Sequence, residues 1–388
     1  MVAVAAQGIL QGSTPVAGQV APGGWRVGEA GRVLGRGPAP TDLFERIADA
    51  TRLPDGRIAV VDEGLARMVI FPAASGGEAQ VVGRRGEGPG EFTRPVSVLD
   101  RGEVGLSVFD AALQRLSTFG SDGTLRSDRR VGGLPLPLGM LLRTEEGVWL
   151  GRSADRLSRA QLGPLTQDTV AYLWLRDDLS LSGLAWRVPG ILIAGATVGG
   201  GGQFGFREAP FSPSPTQAAF GRCVVVSPSA TGEVLILDPD REEPVRLFDT
   251  GRNGAEVTAR VWDAWKQDLF QQIPQAAVPE GERVLDALPR PDALPVYRSV
   301  KVDPEGFIWL QRYAVPRGYG PIWDVFTPSG EPIVTLDFPA GGQVFEIGTR
   351  YVLMAGETAL GEPVLRVHPL ERPDGRPVVD HACLRDAA

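Results

Sequence analysis

Lysine is almost missing from this chain: of 39 basic residues only Lys266 and Lys301 are lysines, and Asn253 is the single asparagine. A mechanism built on a lysine Schiff base or on several asparagine ligands therefore has almost no candidates. Histidine is as scarce, with only His368 and His381, so a multi-histidine metal site is excluded by count. The two cysteines, Cys223 and Cys383, show no metal-ligand spacing, and we expect two free thiols, one buried and one in the tail, rather than a disulfide. There is no run of 18 apolar residues, so no transmembrane helix is expected. Bulk positive charge is also missing. A net charge of -8 and a pI near 5.1 argue against nucleic acid or an anionic membrane held by bulk charge and leave room only for local basic patches.

The start, MVAVAAQGILQGSTPVAGQVAPGG, has no basic residue before Arg26. It reads as a flexible leader (1–22) or the remnant of a signal peptide. If the true start lies upstream, the protein is exported, periplasmic or extracellular; a cytoplasmic location stays open.

What the chain does have is turn chemistry and a repeat. Glycine (50) and proline (33) are spread along all 388 residues, as a fold of many tight turns requires. Residues 33–71 align without gaps on residues 81–119 at a constant offset of 48, placing Phe44 on Phe92, Asp62 on Asp110, Arg67 on Arg115 and Phe71 on Phe119. Weaker copies centre on 146–150, 222–237, 304–310 and 350–354. Each alternates apolar and polar residues like a half-buried strand. Units of this length with several strands each are propeller blades. One blade cannot bury both faces, whereas six in a ring bury them all. The pieces around Trp25 and Val33 would supply the outer strand of the last blade and seal the ring. The expectation is an all-β six-bladed β-propeller over 23–375, a C-terminal tail at 376–388, and a monomer.

DGRIAVVDEGLARMVIFPAASG resembles an NHL repeat, and GEGPGEFTRP resembles the linker between blades of bacterial six-bladed propeller proteins. The resemblance is close over 33–133, looser over 220–251 and 296–372, and poor over 140–215. It implies the fold but not one activity, because such propellers carry many. Calcium-dependent gluconolactonase-type members hold their ion with Glu, Asn and Asp, which a lone Asn253 does not supply; amidating lyases of the NHL type use zinc on several histidines. No Gly-x-Ser-x-Gly elbow is present, and we expect no metal, no cofactor and no catalytic residue.

Two departures interrupt the pattern. The segment 255–273 repeats Val257, Val261, Trp262, Trp265, Leu269 and Ile273 at helical steps, predicting one helix inserted between blades four and five and lying across a mouth of the ring, with its tryptophans packing rather than stacking on a ligand. Four glycines at 199–202 flanked by aromatics read as a mobile loop, with Phe204, Phe206 and Arg207 as candidate binding residues or as a mere excursion.

Asp62 with Arg67 and Asp110 with Arg115 recur in register, so they read as structural pairs across a hairpin. Arg46 and Arg94 stand just before the innermost strand of their blades, and Arg298, beside Tyr297, is placed similarly. Converging on one mouth, the three would bind an anion through bidentate guanidinium contacts; the alternative is that each ties loops together by pairing with Glu45, Glu91 or another acid. The leading expectation is a non-catalytic propeller binding a peptide, a protein surface or an anionic small molecule at one mouth. The alternative is an extracytoplasmic hydrolase or lyase acting on a sugar or lactone through acids at the channel.

Overall fold

The computed structural model describes residues 24–373 except 37–42, 75–76, 155–164, 199–202, 272–274, 276–277, 287, 289, 314–319 and 340–341. The expected leader, the C-terminal tail and the four glycines lie outside the described residues.

Strands β1 (Arg26–Val27) and β2 (Arg32–Leu34) come first. Blade one is β3 (Ile47–Arg52), β4 (Ile58–Asp62), β5 (Arg67–Phe71) and β6 (Gln80–Val82). Blade two is β7 (Pro95–Asp100), β8 (Leu106–Asp110), β9 (Arg115–Phe119) and β10 (Leu125–Arg130). Blade three runs β11 (Met140–Arg143), β12 (Trp149–Ala154), β13 (Leu165–Leu175), β14 (Leu181–Val198) and β15 (Gln203–Glu208). Blade four is β16 (Thr216–Phe220), β17 (Cys223–Ser227), β18 (Glu233–Leu237) and β19 (Val245–Asp249). Helices α1 (Ala259–Gln271) and α2 (Val278–Asp286) precede blade five, which is β20 (Tyr297–Val302), β21 (Ile308–Arg312), β22 (Ile322–Phe326) and β23 (Pro332–Asp337). Blade six is β24 (Val344–Ile347), β25 (Tyr351–Glu357) and β26 (Pro363–Glu371).

The protein is a six-bladed β-propeller: six antiparallel sheets, each beginning at an inner strand, with inner strands of successive blades as neighbours. The repeat dictates the register. Ile47 faces Asp62 and Pro95 faces Asp110, and in both blades a bulge follows in the inner strand. The core lies between blades. Ala59, Val61 and Met68 of blade one pack with Val98, Leu106 and Phe119 of blade two around Phe92, which is fully buried. Phe44 fills the same place between blades six and one, with Leu353 and Leu365. Burying one such phenylalanine stabilises the ring by about 2 to 3 kcal/mol. Both rings press on a glycine. A Cβ on Gly35 or Gly83 would lie 2.5 or 2.3 Å from the Phe44 or Phe92 ring, and both glycines have φ near +80° (+89 and +76). No side chain fits there, which explains the glycine that opens each linker.

Closure follows the expectation. β1 and β2 both pair antiparallel with β26, giving blade six an outer strand in two pieces. A buried charge group holds this closure to blade five. Arg372 Nη1 lies 2.7 Å from Asp303 Oδ2 and Nη2 lies 2.7 Å from Glu305 Oε1, while Trp309 Nε1 donates to Asp303 at 2.9 Å. Trp25 meets Trp309 edge-on, ring centroids 5.7 Å apart.

Three expectations are corrected. The insertion holds two helices, not one, and α1 begins at Ala259 because Ala255 and Val257 are held in extended bonds, Leu294 N to Ala255 O and Val257 N to Asp292 O, while Thr258 caps the helix by accepting from Val261 N and Trp262 N. The segment expected as a mobile loop after the glycines is β15, bonded along the end of β14 from Ile193↔Glu208 to Val198↔Gln203; the long β14 offers an edge that the extra strand satisfies. Cys223 is disulfide-bonded rather than free, and the only other cysteine in the sequence is Cys383, which lies outside the described residues.

Candidate functional site

In an antiparallel blade, the connector entering the inner strand and the turn between the second and third strands reach the same face of the ring. Arg46 and Arg94 stand on such connectors, and Asp62 and Asp110 end the second strands beside them. Asp110, fully buried, accepts backbone N–H bonds from Thr93 (2.6 Å), Arg94 (2.9 Å), Ala112 (2.9 Å) and Leu113 (2.9 Å). Asp62 does the same for Arg46 (3.0 Å), Glu45 (3.3 Å) and Leu65 (3.3 Å) with longer bonds. These carboxylates therefore splice the incoming connector to the turn, satisfying donors that no strand could.

The arginines of the repeat do a matching task on carbonyls. Arg67 forms an ion pair with Asp62 at 3.8 Å and also donates to Leu43 O. Arg115 stands opposite Asp110 in register but takes its ion pair from Asp128 at 3.6 Å, while its guanidinium caps Glu87 O and Gly88 O, both at 2.9 Å, and Glu91 O. The expected pairing thus forms in blade one only. In blade two the arginine holds the glycine-rich linker in place.

Arg46 and Arg94 line one cavity of about 610 Å3 on this face, between blades one and two. Arg46 Nε lies 3.0 Å from Glu63 Oε2. The repeat places Ala111 in blade two where blade one has Glu63. Arg94, exposed like Arg46, has no ion pair or hydrogen bond from its guanidinium among the described residues. Arg85, on the same cavity, donates to Gly64 O.

The third arginine is elsewhere. Tyr297 faces Arg312, and the bulge that follows is Arg298 itself, so Arg298 matches Ala48 and Val96 and not Arg46 and Arg94. Its charge acts on Glu208, whose carboxyl burial and the charge of Asp168 push up while Arg298 pulls it down. Tyr297 is fully buried in the core between blades four and five and cannot touch a ligand at the mouth. Phe204, Phe206 and Arg207 belong to β15 by their backbone; their side chains lie outside the described residues. The α1 tryptophans pack as expected: Trp262 and Trp265 meet Phe211, with centroids 6.0 and 5.2 Å away, and Tyr313 joins them. Phe211 precedes β16 and Tyr313 follows β21, so α1 covers the same face on the side of blades three to five.

A second group of polar side chains lies along the channel, and the sequence reading missed it. Lys301 Nζ donates to Phe345 O at 2.7 Å, joining blade five to six. Glu346 accepts from Thr51 Oγ1 at 2.6 Å and Arg52 N at 3.1 Å, joining six to one. Asp49 accepts from Val98 N and Ala50 N, both at 3.0 Å, joining one to two. Burial pushes the Asp49 carboxyl up to about 6, against the pull of the Val98 hydrogen bond and the Lys301 charge. Burial likewise holds the Lys301 ammonium below the usual lysine range, with Asp49 and Glu346 opposing. One signal was available in the sequence: in a chain that uses arginine almost everywhere, Lys301 is one of two lysines.

No protein-family model matches the chain, and no curated protein does. Solved structures do. A Bacteroides fragilis protein described as exported aligns at 12% identity over 88% of this chain and 94% of its own, TM-score 0.51. A member of the DUF4221 family from Bacteroides vulgatus aligns at 10% identity over 90% and 99%, TM-score 0.50. The chain shares the six-bladed fold of these bacterial propellers. At such identities the likeness concerns architecture alone. A Xanthomonas campestris gluconolactonase, 12% identical over 92% and 93% with a TM-score of 0.45, is too distant to carry an argument about chemistry.

Proposed function

We propose that the protein is a non-catalytic binding propeller whose working surface is the cavity between blades one and two, taking an anionic group on a peptide, a protein surface or a small molecule. One observation carries this reading: Arg46 and Arg94 line the same cavity, and Arg94 lacks the acid that neutralises its counterpart. An exposed guanidinium without a carboxylate partner offers its fork to a ligand's carboxylate or phosphate at no internal cost. The channel acids that a hydrolase or lyase would need, Asp49 and Glu346, hold backbone and hydroxyl donors of neighbouring inner strands, which favours binding over catalysis. The disulfide at Cys223 supports an exported location, because disulfides persist in oxidising compartments.

The test is an array of acidic peptides probed with the wild type and with an Arg46→Ala, Arg94→Ala double variant. Binding should drop about tenfold to a hundredfold in the variant, the range of one or two charge-assisted hydrogen bonds. Identical array patterns for the two proteins would remove the site.

A further inference from the structure

The charges of the cavity define the ligand more closely than its net sign. Of the five charged residues lining it, Arg46 and Glu63 neutralise each other at 3.0 Å. Three are left. Arg94 has no partner, and Arg85 donates to the carbonyl of Gly64 but has no carboxylate. Glu45 is exposed, and although its backbone N–H is held by Asp62, its carboxylate has no hydrogen bond or ion pair among the described residues. The Glu45 side chain is fixed against the turn of blade one: a Cβ on Gly64 would lie 2.6 Å from its Cβ and 2.9 Å from its Cδ. Only glycine at 64 lets the carboxylate lie there. The repeat puts Thr93 in place of Glu45 in blade two, so the cavity carries this one free acid.

Two uncompensated cations and one uncompensated anion face a space of about 610 Å3, the size that suits a small organic ligand or short peptide. We infer that the cavity takes a short peptide with a free amino terminus and two carboxylates, its ammonium at Glu45 and its carboxylates at Arg94 and Arg85. A dipeptide or tripeptide ending in an acidic residue has this charge pattern: one ammonium, one side-chain carboxylate and one terminal carboxylate. Complementarity of this kind discriminates by leaving the wrong ligand's charge unpaired. The inference rests on the cavity being the binding surface.

Calorimetric titration of the full chain with Ala-Ala-Glu, with acetyl-Ala-Ala-Glu and with Ala-Ala-Gln amide tests it. The free tripeptide should bind at least tenfold more tightly than either analogue. Glu45→Gln should erase the difference between free and acetylated peptide, and Arg94→Gln should weaken both. Neither side chain has an internal partner, so both variants should melt with the wild type, which a thermal scan verifies. Equal binding of free and acetylated peptide, with both still weakened by Arg94→Gln, overturns the inference and leaves the anion site standing. Binding unchanged in both variants overturns the two together.

Discussion

Blades one and two share one register, one phenylalanine plug and one buried strand-end aspartate, yet they differ in charge at several equivalent places, three of them at the inner strand, its connector and the turn beside it. Blade one has Asp49, Glu45 and Glu63 where blade two has Ser97, Thr93 and Ala111. The scaffold residues are those whose replacement would leave buried backbone donors unsatisfied, and they recur. The charged residues bear on no such donor, except Asp49, and they vary. A repeat that keeps its frame but has Ala111 where the other copy has Glu63 leaves Arg94 without the acid that pairs Arg46.

The largest effect that can test this comparison is on stability. Asp110→Ala removes four short backbone bonds in a buried site, so unfolding free energy should fall by about 3 to 5 kcal/mol. Asp62→Ala, with fewer and longer bonds, should lose about 1 to 3 kcal/mol. Urea midpoints measure both, and equal losses would mean that bond length in the two blades has no energetic meaning. Next comes pH. Folded Asp49 keeps its proton to about pH 6, above the unfolded value near 4. Between those values the native state binds more protons than the unfolded one, so this group withdraws up to about 3 kcal/mol of stability as pH rises. Asp49→Asn should abolish that slope, while Ser97→Ala in the equivalent place should not alter it. His368 must be kept in both proteins. Its Nδ1–H donates to Gly28 O at 2.9 Å, burial lowers its pKa, and its slope over the same range has the opposite sign. Melting temperatures from pH 4 to 7 decide the matter, and parallel curves for Asp49→Asn and wild type would contradict it.

Affinity effects are smaller. Ala111→Glu rebuilds in blade two the pair that blade one has, and should weaken acidic-peptide binding about three- to fivefold. Unchanged titration curves would show that Arg94 works without being free. Glu63→Ala makes the reverse change and should tighten binding only two- to threefold, because the Arg46 to Glu63 pair is largely exposed and worth under about 1 kcal/mol.

The legible part of the molecule was the part that repeats. The offset of 48 predicted Phe44 and Phe92, the strand-end aspartates and the early strands, because each answers to a geometric demand that blades one and two make alike. Closure by the segment around Trp25 and Val33 followed from the need to complete the last sheet. Blade three was illegible because β14 is long and carries an added strand, so its apolar pattern serves a wider sheet than the repeat describes. Arg298 was misplaced because the bulge residue of β20 was counted as though it preceded the strand. Asp49, Lys301 and Glu346 escaped notice because the position after the inner-strand bulge varies among the blades (Asp49, Ser97, Ser299 and Glu346), so no repeated residue marks it. Nothing in sequence spacing marks three side chains whose charges act on one another only when the ring has closed.

That closure also sets an order of events. Residues 26–34 find their hydrogen-bonding partner in β26, more than three hundred residues later. Until residues 363–371 emerge, the early strands have nowhere to dock, and blade six lacks the strand that carries them. Joining these two distant segments is the slow, long-range step of folding, and a nascent chain halted before β26 is an open arc with an exposed strand edge, a substrate for chaperones rather than a smaller propeller.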